Sequence, residues 1–163
     1  MNEAAISTLP YRLNVGALLF GPDGRVLVAR RVGLEAWQLP QGGIDAGEDP
    51  QAAVLRELEE EIGTRRAEII GEQPGWVAYD FPPGLIAKSW RGKYRGQRQK
   101  WFALRFLGED SEIVLNRDPH PEFDAWKWVE LNALPGLAIA FKRQIYEGLA
   151  REFAHLVAQF KSG

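Results

Sequence analysis

The sequence has no cysteine, which removes disulfides, thiol nucleophiles and zinc–thiolate sites together and suits a reducing compartment. Its two histidines, His120 and His155, lie far apart, one beside prolines and one in a helical pattern, so neither has a second histidine at metal-ligand spacing. No apolar run approaches the ~20 residues needed to span a membrane. Residues 1 to 10 lack the basic start and apolar core of a secretory signal and are expected to be a flexible leader. Net charge is only −2, which argues against a generic nucleic-acid coat and gives no reason to expect a DNA partner. Repeats and low-complexity linkers are also missing. What remains is a soluble, cytosolic chain whose 163 residues and 45% apolar content suit one domain over residues 1–163. A chain of this size can bury about two thirds of its unfolded surface.

What the chain does have is concentrated between Gly42 and Thr64. A glycine-rich loop runs into a short helix, with Asp49 as N-cap, Pro50 at the first helical position and Gly63 as the C-terminal stop. At 100° per residue, Leu55, Leu58 and Ile62 share one face with Ala52 at its edge, while Glu57, Glu60 and Glu61 project from the other. Like charges at i, i+3 and i+4 repel by a few tenths of a kcal/mol each on an exposed helix. A helix that needed only solubility would intersperse lysines. Carboxylates massed on one side make sense if cations sit among them.

Around this helix the chain alternates. Asn14 to Phe20 is a strand ending at the turn Gly-Pro-Asp-Gly, 21 to 24, and Arg25 to Arg30 returns as its hairpin partner. Ala36 to Gln41 is a short extended piece. Ala67 to Tyr79 is a broken strand, Gly84 to Lys88 a weaker candidate, and Gln99 to Leu107 a good one. Phe123 to Glu130 alternates with Trp126 and Trp128 on one side. Ile139 to Phe160 reads as one long closing helix, with Phe141, Ile145, Leu149, Phe153, Leu156 and Phe160 at three- and four-residue steps. Strands before and after a helix, with a second helix at the end, predict an α/β sandwich with a mixed central sheet.

Gly42, Glu48, Arg56-Glu57, Glu59-Glu60-Glu61 and Gly63 resemble, in type and spacing, the Nudix box. Thr64 departs from it, standing where the family usually has an aliphatic residue; this is a packing position. The resemblance covers nearly the whole chain and implies the Nudix fold, an α/β/α sandwich around a mixed sheet. It also implies hydrolysis of phosphoanhydride bonds with Mg²⁺, two or more ions, for which Mn²⁺ can substitute. Divalent cations suit that reaction because they neutralise anhydride oxygens and activate water. Mg²⁺ needs only a few carboxylates beside the substrate's phosphates. The ligands implied are Glu57, Glu60 and Glu61 with the Gly42 carbonyl; Arg56 steadies the cluster and Glu48 supports it. The base is Glu57 or Glu61, or else Glu122, which matches a loop glutamate that binds metal or acts as base in one branch of the family.

The flanks narrow the branch. Tyr11 to Gly16, Ala29 to Gly33, Trp37 to Gly43, Gly96 to Phe102, Pro121 to Trp126 and Phe141 to Arg143 resemble, in order, the RNA pyrophosphohydrolases and related dinucleoside tetraphosphate hydrolases. That resemblance assigns Arg12, Arg31 and Gln97 to phosphates or the first nucleotides, and Phe141 to stacking a base. Six basic residues between Lys88 and Lys100, interleaved with Trp90, Tyr94 and Trp101, suit a polyanion whose bases stack. They predict a basic surface opposite the acidic helix. The expected substrate is a 5′-triphosphorylated RNA, which becomes a monophosphate in mRNA decay, or diadenosine tetraphosphate, cleaved to ATP and AMP, with RNA ranked ahead. The alternatives are another nucleotide hydrolase of the same fold, for pool cleansing or sugar nucleotides, and a catalytically silent module that binds RNA or nucleotides. Oligomeric state is not legible.

Overall fold

Strand β1 (Tyr11–Phe20) occupies the middle of the molecule, because its partner in the sheet is not its neighbour in sequence. It pairs in parallel with β7 (Gly96–Phe106), from Tyr11 opposite Gly96 to Phe20 opposite Arg105. A parallel pair needs a crossover. The chain supplies one through β2 (Val26–Arg31), β3 (Trp37–Gln38), β4 (Gln41–Gly43), helix α2 (Pro50–Ile62), β5 (Ala67–Glu72), β6 (Val77–Asp80) and the single turn α3 (Pro83–Ile86). On the other edge of β1, β4 pairs along residues 14–16, while β5 and β6 pair antiparallel to successive lengths of β7. Strand β8 (Phe123–Val129) pairs with β2. The result is the expected mixed sheet. The computed structural model describes residues 3–86, 90–115 and 120–161.

Helices close both faces. On one, Val15, Ala17, Leu19, Phe102 and Leu104 meet Ala53, Val54, Leu58 and Ile62 of α2. On the other, Leu18, Phe20, Trp101 and Ala103 meet α5 (Arg143–Glu152) and α6 (Ala154–Lys161) through Tyr146, Leu149 and Leu156. Helix α2 is bounded as its sequence dictates. Asp49 accepts hydrogen bonds from the backbone N–H groups of Gln51 and Ala52, Pro50 follows it, and Gly63 closes the helix in the left-handed conformation at φ 84°.

Five expectations need correction. The hairpin between β1 and β2 is one rung long, Phe20 opposite Val26, because β2 turns away to pair with β8. Ala52 is exposed, and Ala53 with Val54 is buried instead. The strand candidate at Gly84 to Lys88 is the turn α3 as far as Ile86; residues 87 and 88 lie outside the described residues. The closing helix is divided: Ala140–Lys142 is a 3-10 turn, and α5 ends at Phe153, whose φ of −107° and ψ of 9° are not helical. That break keeps Phe153 buried while Phe160 stacks on Phe20, centroids 5.0 Å apart. Finally, the leader expected to be flexible contains helix α1 (Glu3–Ser7), and Ile6 and Leu9 pack against Tyr79, Phe81 and Ile86. The last short helix is α4 (Leu134–Leu137).

Candidate active site

Alternation along three adjacent strands places a row of polar side chains at one end of the sheet. Arg12, Gln97 and Tyr79 are neighbours across β1, β7 and β6. The Arg12 guanidinium donates to Gln97 Oε1 at 3.2 Å, and Gln97 Nε2 donates to the Tyr79 hydroxyl at 2.6 Å. Two residues further on, Gln99 Nε2 donates to Asn14 Oδ1 at 2.9 Å and to Gln41 Oε1 at 3.2 Å. Arg12, Asn14, Gln41, Tyr79 and Gln97 floor a cleft of about 630 Å³, and Gln99 is buried beside them. Its walls carry Arg31 and Lys142, the carboxylates of Glu57, Glu61 and Glu122, and the apolar side chains Leu85, Ile139 and Phe141.

The acidic side of the cleft is built around Arg56. Its Nε and Nη2 grip Glu48, both at 2.8 Å, while Nη2 also donates to the Gly43 carbonyl. Nη1 reaches Glu57 at 2.9 Å and Glu60 at 3.2 Å. Glu48 also accepts the Asp45 N–H, so the glycine loop and α2 are joined through one arginine. The arginine's hydrogen bond holds the Glu48 carboxyl down to about 2, and Glu48 in turn raises the arginine's own pKa. Gly42 is required by contact: a Cβ there would overlap the Glu57 carboxylate, and one at Gly43 would overlap the Arg12 guanidinium.

Burial sets the charges. Glu61 is buried beside the Gln41 N–H, which it accepts at 3.3 Å. Burial, then the charges of Glu122 and Glu57, push its carboxyl well above the ordinary range. Burial raises Glu57 against the pull of Arg56. Lys142, 7% exposed, is lowered to about 8 by burial and by Arg31, against the attraction of Glu61 and Glu122. Glu57, Glu60, Glu61 and Glu122 also share a smaller recess of about 190 Å³ next to the main cleft. Among the described residues no three acidic or histidine side chains close on one point, since Arg56 holds Glu57 and Glu60. The donor set nevertheless fits a hard cation: the mutually repelling carboxylates of Glu57, Glu61 and Glu122 border one space with Gly42, and Mg²⁺ keeps several waters and completes its shell with substrate phosphates.

Arg12, Arg31, Gln97, Phe141, Glu57, Glu61, Glu122 and Gly42 thus line one cleft, and Glu60 borders the adjoining recess. Glu48 and Arg56 stand behind them. Phe141 sits on the 3-10 turn, its ring 5.6 Å from that of Tyr79. Of the basic stretch expected to form a surface opposite the acidic helix, none of the described cations lines the cleft. Trp101 is fully buried in the core. Arg98 and Lys100 alternate onto the sheet face opposite the cleft, Lys100 donating to the Gln73 and Gly75 carbonyls. Arg95 binds Asp80. Lys88 and the Trp90 side chain lie outside the described residues. Reading the sequence missed Asn14, Gln41, Tyr79, Gln99 and Lys142. Asn14, Gln41, Gln99 and Lys142 lie in segments singled out for other residues, and Lys142 was hidden by the expectation of a continuous helix.

The NUDIX domain family model matches residues 10–149. The chain is similar to an RNA pyrophosphohydrolase of Acidiphilium cryptum, 60% identical over an alignment 153 residues long, which covers 91% of this chain and 93% of the relative. An RNA pyrophosphohydrolase of Gluconacetobacter diazotrophicus is 55% identical over an alignment 163 residues long, which covers 94% of this chain and 96% of the relative. Among solved structures, the fold is similar to the E. coli dihydroneopterin triphosphate pyrophosphohydrolase, with a TM-score of 0.68 at 23% identity, covering 88% of this chain and 99% of that one.

Proposed function

Because the chain belongs to the NUDIX domain family, we propose that it removes pyrophosphate from 5′-triphosphorylated RNA and leaves a 5′-monophosphate. The observation that carries this reading is the joining, in one cleft, of the acidic edge of α2 with a floor of phosphate-binding donors and an aromatic wall. Relatives named RNA pyrophosphohydrolase at 55–60% identity over nearly their whole length support the choice of RNA. Glu57, Glu60, Glu61 and Glu122, with the Gly42 carbonyl, are the residues that would hold divalent metal, Mg²⁺ by preference. When bound, the metal supplies charge neutralisation at the anhydride and a more acidic water.

The protein's own groups do the rest. Arg12, Arg31 and Lys142 present positive charge to the phosphate chain from the cleft walls. Phe141, braced against Tyr79, offers its ring to the first bases. Glu61 and Glu57, whose carboxyls are shifted upward, and Glu122 are the groups able to take a proton from the attacking water. Arg56 and Glu48 fix the loop carrying Gly42 and Gly43 against α2. The same reading carries a cytoplasmic location for one NUDIX domain, since 5′-triphosphorylated RNA is a cytoplasmic substrate in a bacterial cell.

The test is pyrophosphate release from a short triphosphate RNA with Mg²⁺, compared with cleavage of diadenosine tetraphosphate. The expected result is RNA turnover that Glu60→Gln reduces about a hundredfold or more, the equivalent of about 2.7 kcal/mol of transition-state stabilisation. Full activity of Glu60→Gln would remove the metal assignment. A hundredfold preference for the dinucleotide would make that the substrate instead.

A further inference from the structure

One polar group in the cleft floor has no use within the protein. Asn14 is 1% exposed, and its Nδ2 is buried with no hydrogen-bond partner. A buried donor left unpaired costs about 1–3 kcal/mol, so an orphaned amide at the floor of a binding cleft needs a reason. Turning the amide round does not remove the problem, because its neighbours fix its orientation. Trp101 Nε1 donates to Gln99 Oε1 at 3.1 Å, and an indole N–H can only donate. Gln99 is therefore held with its carbonyl toward the core and its NH₂ outward. That NH₂ takes Asn14 Oδ1 as acceptor at 2.9 Å. Each link forces the next, and the chain ends with Asn14 Nδ2 presented as a donor.

Trp101 cannot move away from this task. It is fully buried, packs edge-on to Tyr146 with centroids 6.2 Å apart, and lies so close to Gly16 that a Cβ there would overlap its ring. The nitrogen is covered in this structure, so an acceptor reaches it only when the side chains over it part. Asn14 lines the same cleft as Arg12, Gln97 and Gln41. Asn14 follows Arg12 by two residues on β1 and so lies on the same face of the sheet. A donor beside an arginine, in a cleft read as taking a phosphate chain, faces an acceptor.

We propose that Asn14 Nδ2 binds a non-bridging oxygen of the substrate's polyphosphate, and that Trp101 and Gln99 are positioning residues that fix this donor. The proposal rests on the polyphosphate reading of the cleft. It adds a neutral donor to the cationic ones, one that is directional where Arg12 and Lys142 are chiefly charges. It also links substrate affinity to an indole N–H in the hydrophobic core.

Three variants test it, each assayed well below its own melting temperature: Asn14→Asp, which keeps the acceptor for Gln99, removes the donor and adds a negative charge; Asn14→Ser, which restores a shorter donor without that charge; and Trp101→Phe, which removes the indole N–H at some cost in core packing. Each is measured for kcat and KM on triphosphate RNA and for binding of inorganic triphosphate, a probe without base or ribose. Asn14→Asp should raise KM and weaken triphosphate binding about tenfold or more, with a smaller effect on kcat. Asn14→Ser should recover part of the loss. Trp101→Phe should weaken both by a few fold, because the Gln99 and Asn14 amides are then free to turn. Unchanged triphosphate binding in Asn14→Asp overturns the proposal, as does a loss confined to RNA, which would assign the donor to the nucleoside. If Asn14→Asp unfolds, the Trp101→Phe pair of measurements decides: a few-fold loss upholds the relay and unchanged values overturn it. Wild-type protein that binds triphosphate through Asn14 yet releases no pyrophosphate from RNA would overturn the proposed function and leave this contact standing.

Discussion

Gly42 shows how much of the site depends on an atom being missing. Because a side chain there would overlap the end of Glu57, Gly42→Ala should displace a flexible carboxylate rather than unfold the sheet. The expected outcome is a loss of activity of about tenfold or more, in line with small misplacements of catalytic groups, with the melting temperature almost unchanged. Paired turnover and calorimetry would check it. Glu48 makes the opposite kind of residue, one that acts on stability. Its carboxyl is held at about 2 against an ordinary value of 4.5, so folding favours the ionised form. Its contribution is complete above the ordinary value and is lost as pH falls toward the folded one. Glu48→Gln should therefore lower the melting temperature at pH 7, and the difference from wild type should shrink steadily below about pH 4.5 in a melting series. At this scale the box residues were legible because residue type and spacing carry them. Asn14 and Gln99 were not, since a buried amide has no spacing signature and acquires its role only when β7 lies beside β1.

Helix α2 was legible as an element, including its cap, its first-turn proline and its glycine stop, because those signals are local in sequence. The buried face came out one residue off: Ala53 and Val54 flank the core, and Ala52 does not. Wheel geometry sets the stripe's direction only to within about one residue. The final helix was misjudged for a related reason. Steps of three and four residues persist through a one-residue break, so periodicity cannot detect Phe153. The element-scale prediction concerns packing. Leu58, buried in the core between α2 and the sheet, should cost about 2–5 kcal/mol when changed to Ala, read as a lower denaturant midpoint with an unchanged slope. Gly16→Ala would instead overfill the space taken by the Trp101 ring, at a cost of about 1–3 kcal/mol.

Across the whole molecule, the mixed sheet between helices was foreseeable from element order alone, while the distribution of charge was not. Six basic residues in a row of thirteen looked like one surface, but a strand sends alternate side chains to opposite faces. Arg95 and Lys100 are spent on Asp80 and on backbone carbonyls. Among the described residues, the cations that line the cleft are Arg12, Arg31 and Lys142, which come from three separate segments. This predicts a mild dependence on salt. With about three phosphate contacts, binding of single-stranded RNA should weaken with a log–log slope of about −2. A titration of RNA affinity against KCl checks it, and a slope steeper than about −4 would bring the cations of the far face into the interface.

The parallel pairing of β1 with β7 also has a consequence in time. Arg12 and Gln97, hydrogen-bonded in the cleft floor, are 85 residues apart in the chain. No hairpin can bring them together, so loop closure must come before any contact there repays it. As the protein is synthesised, β1 emerges well before β7, with an apolar run from Val15 to Phe20, and must wait for it before both its edges are occupied. Until then β4 can cover one edge and the other is open to another chain. Strand pairing thus makes the binding floor one of the later parts of the protein to form, and the waiting strand the segment most exposed to aggregation while the chain is incomplete.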